Sequence, residues 1–376
     1  MATGWPMKTT YANGDVFSAS DVNDITGTVN LAGGAQWAAG KNRLINGDFR
    51  INQRIFTSNT TTGSYNFDRW LQQNSGGSFT VTPQTFTAGA APATPYEAIN
   101  FLRGITASQS AAGDYAYLTQ RVEDVRTLAN TTATISFWAK ANTGTPKVGV
   151  EINQNFGSGG SPSSAVSTPA GSITLSTSWA RYSVNVTVPS ISGKTIGTTA
   201  NTSYVEVNLW TSSGATNATR ASSIGVQNFT ADFWGVQFEQ GSTATAFQTA
   251  TGIIEGELAA AQRYFYGISI DGTPAGISPF APLGVADTTG AAKFPLIMPV
   301  TMRVAPSVTF TGNSNFRLFD FVNASSTSNS MSLYANSAST SSITVSAGAT
   351  GLTQYRPYCL IPLASGVSTI SISAEL

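Results

Sequence analysis

Three short runs carry aromatic, amide and charged side chains on every second position. In "TISFWAK", Ile135, Phe137 and Ala139 alternate with Ser136, Trp138 and Lys140. In "ARYSVNV", Tyr182, Val184 and Val186 alternate with Arg181, Ser183 and Asn185, and in "YVEVNLW", Val205, Val207 and Leu209 alternate with Glu206, Asn208 and Trp210. A period of two belongs to a strand, whose successive side chains point to opposite faces. The apolar set therefore makes a core, and the other set faces away from it. Tryptophan beside carboxylate, amide and guanidinium groups suits a pyranose, whose C–H face stacks on a ring while its hydroxyls take polar partners. The same mixture also suits a face covered by a neighbouring subunit or domain, because tryptophan is enriched at interfaces. On the first reading Trp138, Lys140, Arg181, Glu206, Asn208 and Trp210 form an outward platform. Alanine at Trp138 and Trp210 is then expected to weaken binding and leave thermal stability nearly intact.

Other chemistry is constrained by what the chain lacks. Histidine is absent, which removes the usual general base, Ser-His-Asp and Cys-His arrangements and any imidazole metal site. The single cysteine, Cys359, excludes an intrachain disulfide framework and a multi-cysteine zinc site, and reads as a small buried apolar residue. Glu151 and Glu206 both fall on outward positions, but glycoside cleavage needs two carboxylates at a defined gap, which spacing alone does not set. With no parallel β-helix repeat and no catalytic motif, the chain reads as a non-enzyme. "VPSISGKT" ends like a phosphate-binding loop, yet Val188 stands where the first glycine is required and the flanks read as strand. Asn-x-Ser/Thr triplets at Asn130 and Asn217 are expected by composition in a chain rich in those residues.

Only 10% of the residues are charged, and 19 basic residues balance 19 acidic ones. Such a chain has no electrostatic reach for nucleic acid or an anionic membrane surface. It has no apolar run of the ~18 residues a membrane span needs, and "MATGWPMKTT" lacks the apolar core of a signal peptide, so a soluble product made in a cytoplasm is expected.

Periodicity also gives the framework behind these residues. Residues 1–41 form a lead: "FSASDVNDITGTVN" offers Ser18 as a cap and Val22, Ile25 and Val29 at helical spacing, a stripe too short to be buried alone. From Asn42 to about Ala250 strand succeeds strand between Gly/Ser/Asn-rich turns, the pattern of an antiparallel sandwich, with Trp70, Trp179 and Trp234 as packing residues. Within it, Asn46-Gly47-Asp48 reads as a turn. Residues 251–267 read as a helix ended by Gly267, with Ile254, Leu258, Ala261 and Phe265 on an a/d seam. That seam fits a meeting of copies, and equally a helix packed on its own sandwich. Residues 268–376 return to strands, with Pro295, Pro299 and Pro306 marking edge strands or turns.

"NRLINGDFRINQR", "FDRW", "YLTQRVEDVRTLANTTATISFWAKA", "SWARYSVNVTVPSISGKTIG" and "DFWGVQFEQGSTATAFQ" occur in that order over residues 42–248. Together they resemble the carbohydrate-binding-module-like jelly rolls of bacteriophage tail fibres and other virion proteins. "AQRYFYG" and "FPLIMPVTMRVAPSVTFTG" resemble the region C-terminal to that module in phage fibres, and "TTYANGDVFSASDVND" resembles their particle-attachment lead. The resemblance implies a mainly β chain: an attachment segment (1–41) contacting other virion proteins, a jelly roll (42–250), an oligomerisation helix (251–267) and a β-sandwich tip (268–376). It further implies a homotrimer displayed on the virion, a host cell-surface glycan as partner, and no cofactor beyond a structural calcium ion at the positions matched by Asp48 and Asp232. A purely structural virion protein (head fibre, decoration or tail adaptor) is the main alternative, and a glycan-degrading tailspike the third.

Overall fold

The computed structural model describes residues 39–376 except 94–95, 272–279, 321, 323–324 and 364–366, so Val22, Ile25 and Val29 lie outside the described residues. No helix among the described residues is long and apolar enough to cross a membrane.

Two five-stranded sheets form the first body. Sheet I runs β1 (Leu71–Ser75), β4 (Tyr115–Glu123), β9 (Tyr204–Ser213), β6 (Lys147–Asn155), β7 (Val166–Thr174). Sheet II runs β2 (Ser78–Thr85), β3 (Asn100–Ala107), β10 (Phe229–Gln240), β5 (Thr131–Ala141), β8 (Ala180–Val188). The chain passes back and forth between the sheets, and their ladders are antiparallel, giving a jelly-roll sandwich. The alternating sequences make this inevitable locally: Ile135, Phe137 and Ala139 of sheet II and Val205, Val207 and Leu209 of sheet I are all 0% exposed and share one core.

Asn46-Gly47-Asp48 is a turn, since Phe49 N–H donates to the Asn46 carbonyl at 3.2 Å, but a buried one that ties the sandwich together. Asn46 has φ +58°, and its side-chain amide donates to the carbonyls of Ile51 (2.9 Å) and Asp68 (3.0 Å) while accepting from Ile51 N–H. A Cβ on Gly47 would sit 2.2 Å from the Val236 carbonyl oxygen, so only glycine lets the turn press against β10.

The outer face of sheet II has a third layer. Trp234 contacts Tyr96, Phe247 and Phe86 at ring-centroid distances of 5.5, 5.0 and 6.3 Å, and Trp179 contacts Phe86 and Phe101 at 5.4 Å each. Packing roles for Trp70, Trp179 and Trp234 agree with these positions: Trp70 and Trp234 are fully buried and Trp179 packs against the core.

Helix α1 (Ile254–Gln262) is shorter than the periodicity suggests, because β11 (Phe265–Asp271) begins at Phe265. Phe265 is therefore a strand residue, opposite Ser373, and the Arg54 guanidinium lies 3.7 Å above its ring. Gly267 does not stop a helix; it lies in β11, where a Cβ would come within 2.6 Å of the Gln53 carbonyl. The second body pairs β11 with β20 (Val367–Ser373) and β14 (Ser307–Phe310) in one sheet. Its other sheet runs β16 (Ser325–Thr327), β15 (Phe316–Phe319), β19 (Pro357–Pro362), β12 (Ala281–Thr288), β13 (Ala291–Ile297), β18 (Ser342–Gly348), β17 (Ser330–Leu333). Pro295 lies in β13, which is not an edge strand. The β12 ladder reaches only Lys293, so at Pro295 the strand is paired with β18 alone and no ladder bond is lost. Cys359 is buried in β19, and burial pushes its thiol pKa up.

The two bodies are joined through buried charge. Arg54 reaches Asp68 (2.6 Å) and Glu375 (3.0 Å), and Arg69, 1% exposed, pairs with Glu375 and donates to the Arg121 carbonyl. Arg303 of the second body also donates to the Asn201 carbonyl of the first, and at the more exposed rim Arg263 pairs with Glu123 at 3.0 Å. Burial outweighs Arg54 and lifts the Asp68 carboxyl to about 6. A folded-state value above the unfolded value of 3.8 means that the folded protein keeps this proton longer, so its contribution is complete below 3.8 and lost as pH rises to about 6. The stability of the wild type relative to Asp68→Asn should therefore fall by roughly 2 kcal/mol between pH 4 and pH 7. Urea titrations of both proteins across that window test this; parallel profiles would refute it.

Candidate functional site

The outer face of sheet I is built by three central strands in register. Tyr117 of β4, Trp210 of β9 and Gly149 of β6 form one row, Thr119, Asn208 and Glu151 the next, and Arg121, Glu206 and Asn153 the third. Because Leu118, Val207 and Leu209 are committed to the core, their neighbours in sequence must project outward.

The first row is aromatic. Tyr117 lies 4.3 Å from the Trp210 ring, and Tyr115 stacks on Tyr117 at 5.7 Å with an interplanar angle of 29°. Trp210 is 0% exposed because the segment carrying Ala221 and Ile224 covers it, whereas Tyr115 and Tyr117 are half-buried and remain reachable.

The next two rows are polar and charge-balanced. Glu151, fully buried, accepts from Asn208 Nδ2 (3.0 Å), Trp210 Nε1 (3.0 Å) and Arg220 Nε (2.8 Å). Glu206 accepts from Arg121 Nε (2.8 Å) and Asn153 Nδ2 (3.2 Å). Two carboxylates thus meet two guanidiniums, and the floor carries no net charge. Burial first, then Glu206, raises the Tyr117 phenol pKa, so its hydroxyl stays a neutral donor and acceptor. Three polar atoms on this floor are buried without a hydrogen-bond partner: Thr119 Oγ1, Asn153 Oδ1 and Asn208 Oδ1. A buried polar atom left unpaired costs on the order of 1–3 kcal/mol.

The structure divides the platform expected from sequence. Glu206, Asn208 and Trp210 lie together on this face. Trp138, Lys140 and Arg181 lie on the outer face of sheet II, on the far side of the core, so the six residues do not form one surface. Trp138 is half-buried beside Trp234, and Arg181 donates to the Thr245 carbonyl of the covering segment. Lys140 sits 3.6 Å from Asp232 and 5.4 Å from the centre of the Trp179 ring. Alternation assigns the faces of these strands but not what the chain lays over them. Glu151 and Glu206 are each held by an arginine, Arg220 and Arg121 respectively.

Asp48 and Asp232 do not suit a shared calcium ion. Asp48 accepts from the Tyr96 hydroxyl at 2.5 Å, with Arg50 at 3.8 Å, and burial raises its pKa. Both oxygens of Asp232 accept from Arg103, at 2.6 and 2.8 Å. Calcium takes six to eight oxygen ligands, whereas these carboxylates are already matched by cations. Among the described residues no group of three or more Cys, Asp or Glu side chains could hold a metal.

The seam on residues 251–267 also divides. Ile254 and Leu258 are 40% and 37% exposed, whereas Ala261 (0%) and Phe265 (4%) face inward.

Tyr115, Tyr117, Thr119 and Arg121 are residues of this face that the platform reading did not include. Their signal was present, since "YAYLTQR" places them on alternate positions opposite Ala116 and Leu118. Arg220 had no such signal, because it comes from a loop that only the folded chain brings over Trp210.

No family model and no curated protein matches this chain. Solved structures similar to it include the enzymatically active domain of tailspike protein 4 from bacteriophage CBA120 (15% identity, 54% of this chain, 22% of that chain, TM-score 0.30). The CBM22-2 xylan-binding domain of a Paenibacillus barcinonensis protein is similar at 15% identity over 47% of this chain and 94% of its own (TM-score 0.30), as is a CBM4 structure at 15% over 52% and 98% (TM-score 0.29).

Proposed function

We propose that this chain is a bacteriophage fibre or spike subunit that binds a host-surface glycan on the outer face of sheet I, without cleaving it. The observation that carries the reading is the juxtaposition of half-buried Tyr115 and Tyr117 with a charge-balanced polar floor whose Arg121 remains partly exposed. A pyranose ring stacked on the tyrosines would bring hydroxyls to the Arg121 guanidinium, which is 22% exposed beside them. The absence of net charge on the floor favours an uncharged sugar. The ordered motifs of residues 42–248 support the virion setting, in which residues 1–41 contact other virion proteins and residues 268–376 form the tip.

The test is binding of the labelled full chain to intact host cells before and after periodate oxidation of surface sugars. Binding that is lost on oxidation, and weakened about tenfold (~1.4 kcal/mol) by Tyr117→Ala in a protein that still unfolds cooperatively with unchanged circular dichroism, is the expected result. Periodate-insensitive binding removes the glycan, and no binding at all favours a purely structural virion role.

A further inference from the structure

Arg303 of the second body ties together two walls of a cleft between the bodies. Its backbone N–H donates to the Arg263 carbonyl at 2.8 Å, and its guanidinium donates to the Asn201 carbonyl. The Asn201 side-chain amide donates in return to the Arg303 carbonyl at 3.3 Å. The cleft has a volume of about 440 Å³ and is lined by Arg263, by Glu123, Asp124 and Arg126 at the end of β4, and by loop 196–203. That loop is fixed by its own chain: Gly197 N–H donates to the Phe156 carbonyl (2.7 Å), Thr199 N–H to the Ser158 carbonyl (2.9 Å) and Ser158 N–H to the Thr202 hydroxyl (3.0 Å). A Cβ on Gly197 would stand 2.3 Å from the Ser158 carbonyl oxygen, so only glycine allows this approach. Walls set in advance spare a ligand the cost of ordering them.

The chemistry of the cleft is neutral and incompletely used. Glu123 meets Arg263 at 3.0 Å and Asp124 meets Arg126 at 3.2 Å, so two acids balance two guanidiniums. Arg126, its side chain 61% exposed, engages Asp124 through Nη1 and leaves Nε and Nη2 without a partner among the described residues. Arg263 spends Nε and Nη2 on Glu123 and leaves Nη1. A charged ligand would find no unmatched charge here. A hydroxyl-dense neutral one fits, because each hydroxyl can accept from a spare guanidinium N–H and donate to a carboxylate lone pair, while Ile196 offers apolar surface to its C–H groups.

We propose that this cleft is a second carbohydrate site, for a neutral sugar, assembled only where the two bodies dock. The inference rests on the reading that the ligand is a host glycan, but not on the place which that reading assigns to it. Glu123 lies on the side of β4 that carries Tyr117, Thr119 and Arg121, so the cleft stands at the far end of the same face, about 20 Å from Tyr117 along the strand.

Calorimetric titration of the full chain with oligosaccharides released from host cell surfaces by mild acid, and separated by size, tests it. Three variants accompany the wild type: Ala200→Trp, which fills the cleft from an exposed lining position, Arg126→Ala and Tyr117→Ala. Two sites per chain are expected, with wild-type circular dichroism throughout. Ala200→Trp should remove one site, Arg126→Ala should weaken that same site at least tenfold, and Tyr117→Ala should act on the other. A single site that survives Ala200→Trp and is lost with Tyr117→Ala overturns the inference and leaves the glycan reading standing. Two sites that both ignore Ala200→Trp overturn it as well. A single site with the opposite response supports the cleft and removes the sugar from sheet I. No binding of any fragment overturns both.

Discussion

Glu375→Gln should destabilise the protein by about 3–5 kcal/mol, the usual cost of breaking a buried ion pair by removing one charge. Glu375 is the anion shared by Arg54 and Arg69, and the Arg69 guanidinium is 1% exposed. Without that anion Arg69 retains only the Arg121 carbonyl and the face of Tyr264, 3.4 Å away, with a second cation close by. Because the pair bridges a residue ahead of β1 and a residue after β20, its loss should also uncouple the two bodies, turning one urea transition into two. The double variant Arg69→Met/Glu375→Gln should recover most of the loss, since removing both charges leaves no orphan. Urea unfolding monitored by tryptophan fluorescence reports both effects. A loss below about 1 kcal/mol for Glu375→Gln would show that solvent reaches the junction and that the bodies are held by other contacts.

Trp210→Ala should cost a further ~3–5 kcal/mol of the same kind of stability, seen as a fall in melting temperature of roughly 10 °C. This reverses the expectation drawn from alternation, under which Trp210 faces solvent and can be removed freely. The ring is 0% exposed, packs on Tyr117 at 4.3 Å and donates to Glu151 at 3.0 Å. Its deletion leaves both a cavity beneath Ala221 and Ile224 and a buried carboxylate with one donor fewer. Trp210→Phe separates the two causes: most of the packing stays and the N–H goes, for a loss on the order of 1–2 kcal/mol. Differential scanning calorimetry of the two variants decides the matter. An alanine variant that melts with the wild type would mean that the segment over Trp210 is not a roof.

Much of the first body was legible because its strands alternate cleanly. Ile135/Phe137/Ala139 and Val205/Val207/Leu209 announce a core face, and their neighbours an outer face, without reference to any other part of the chain. The junction was not legible. Nothing near Arg69 in sequence marks it as the partner of Glu375, 306 positions away. The helix was legible in type but not in length, because the end of α1 is decided by the pairing of Phe265 with Ser373. A helical period cannot register that competition.

The order of residues along the chain was enough to establish which of them alternate, hence the antiparallel sandwich, the identity of its core and the side of each strand on which Glu206, Asn208, Trp210 and Trp138 stand. Alternation is local, set by the geometry of one extended chain, so it survives any arrangement of the rest. Which outer face stays reachable was settled only on folding. Sheet II is covered by Phe86, Tyr96 and Phe247, and sheet I keeps Tyr115 and Tyr117 at its surface while the Ala221–Ile224 segment takes Trp210 inside. Those coverings are contacts between segments far apart in the chain, made because exposed aromatic rings gain by burial wherever a loop can reach them. Reach is a property of the folded molecule, not of any stretch of its sequence.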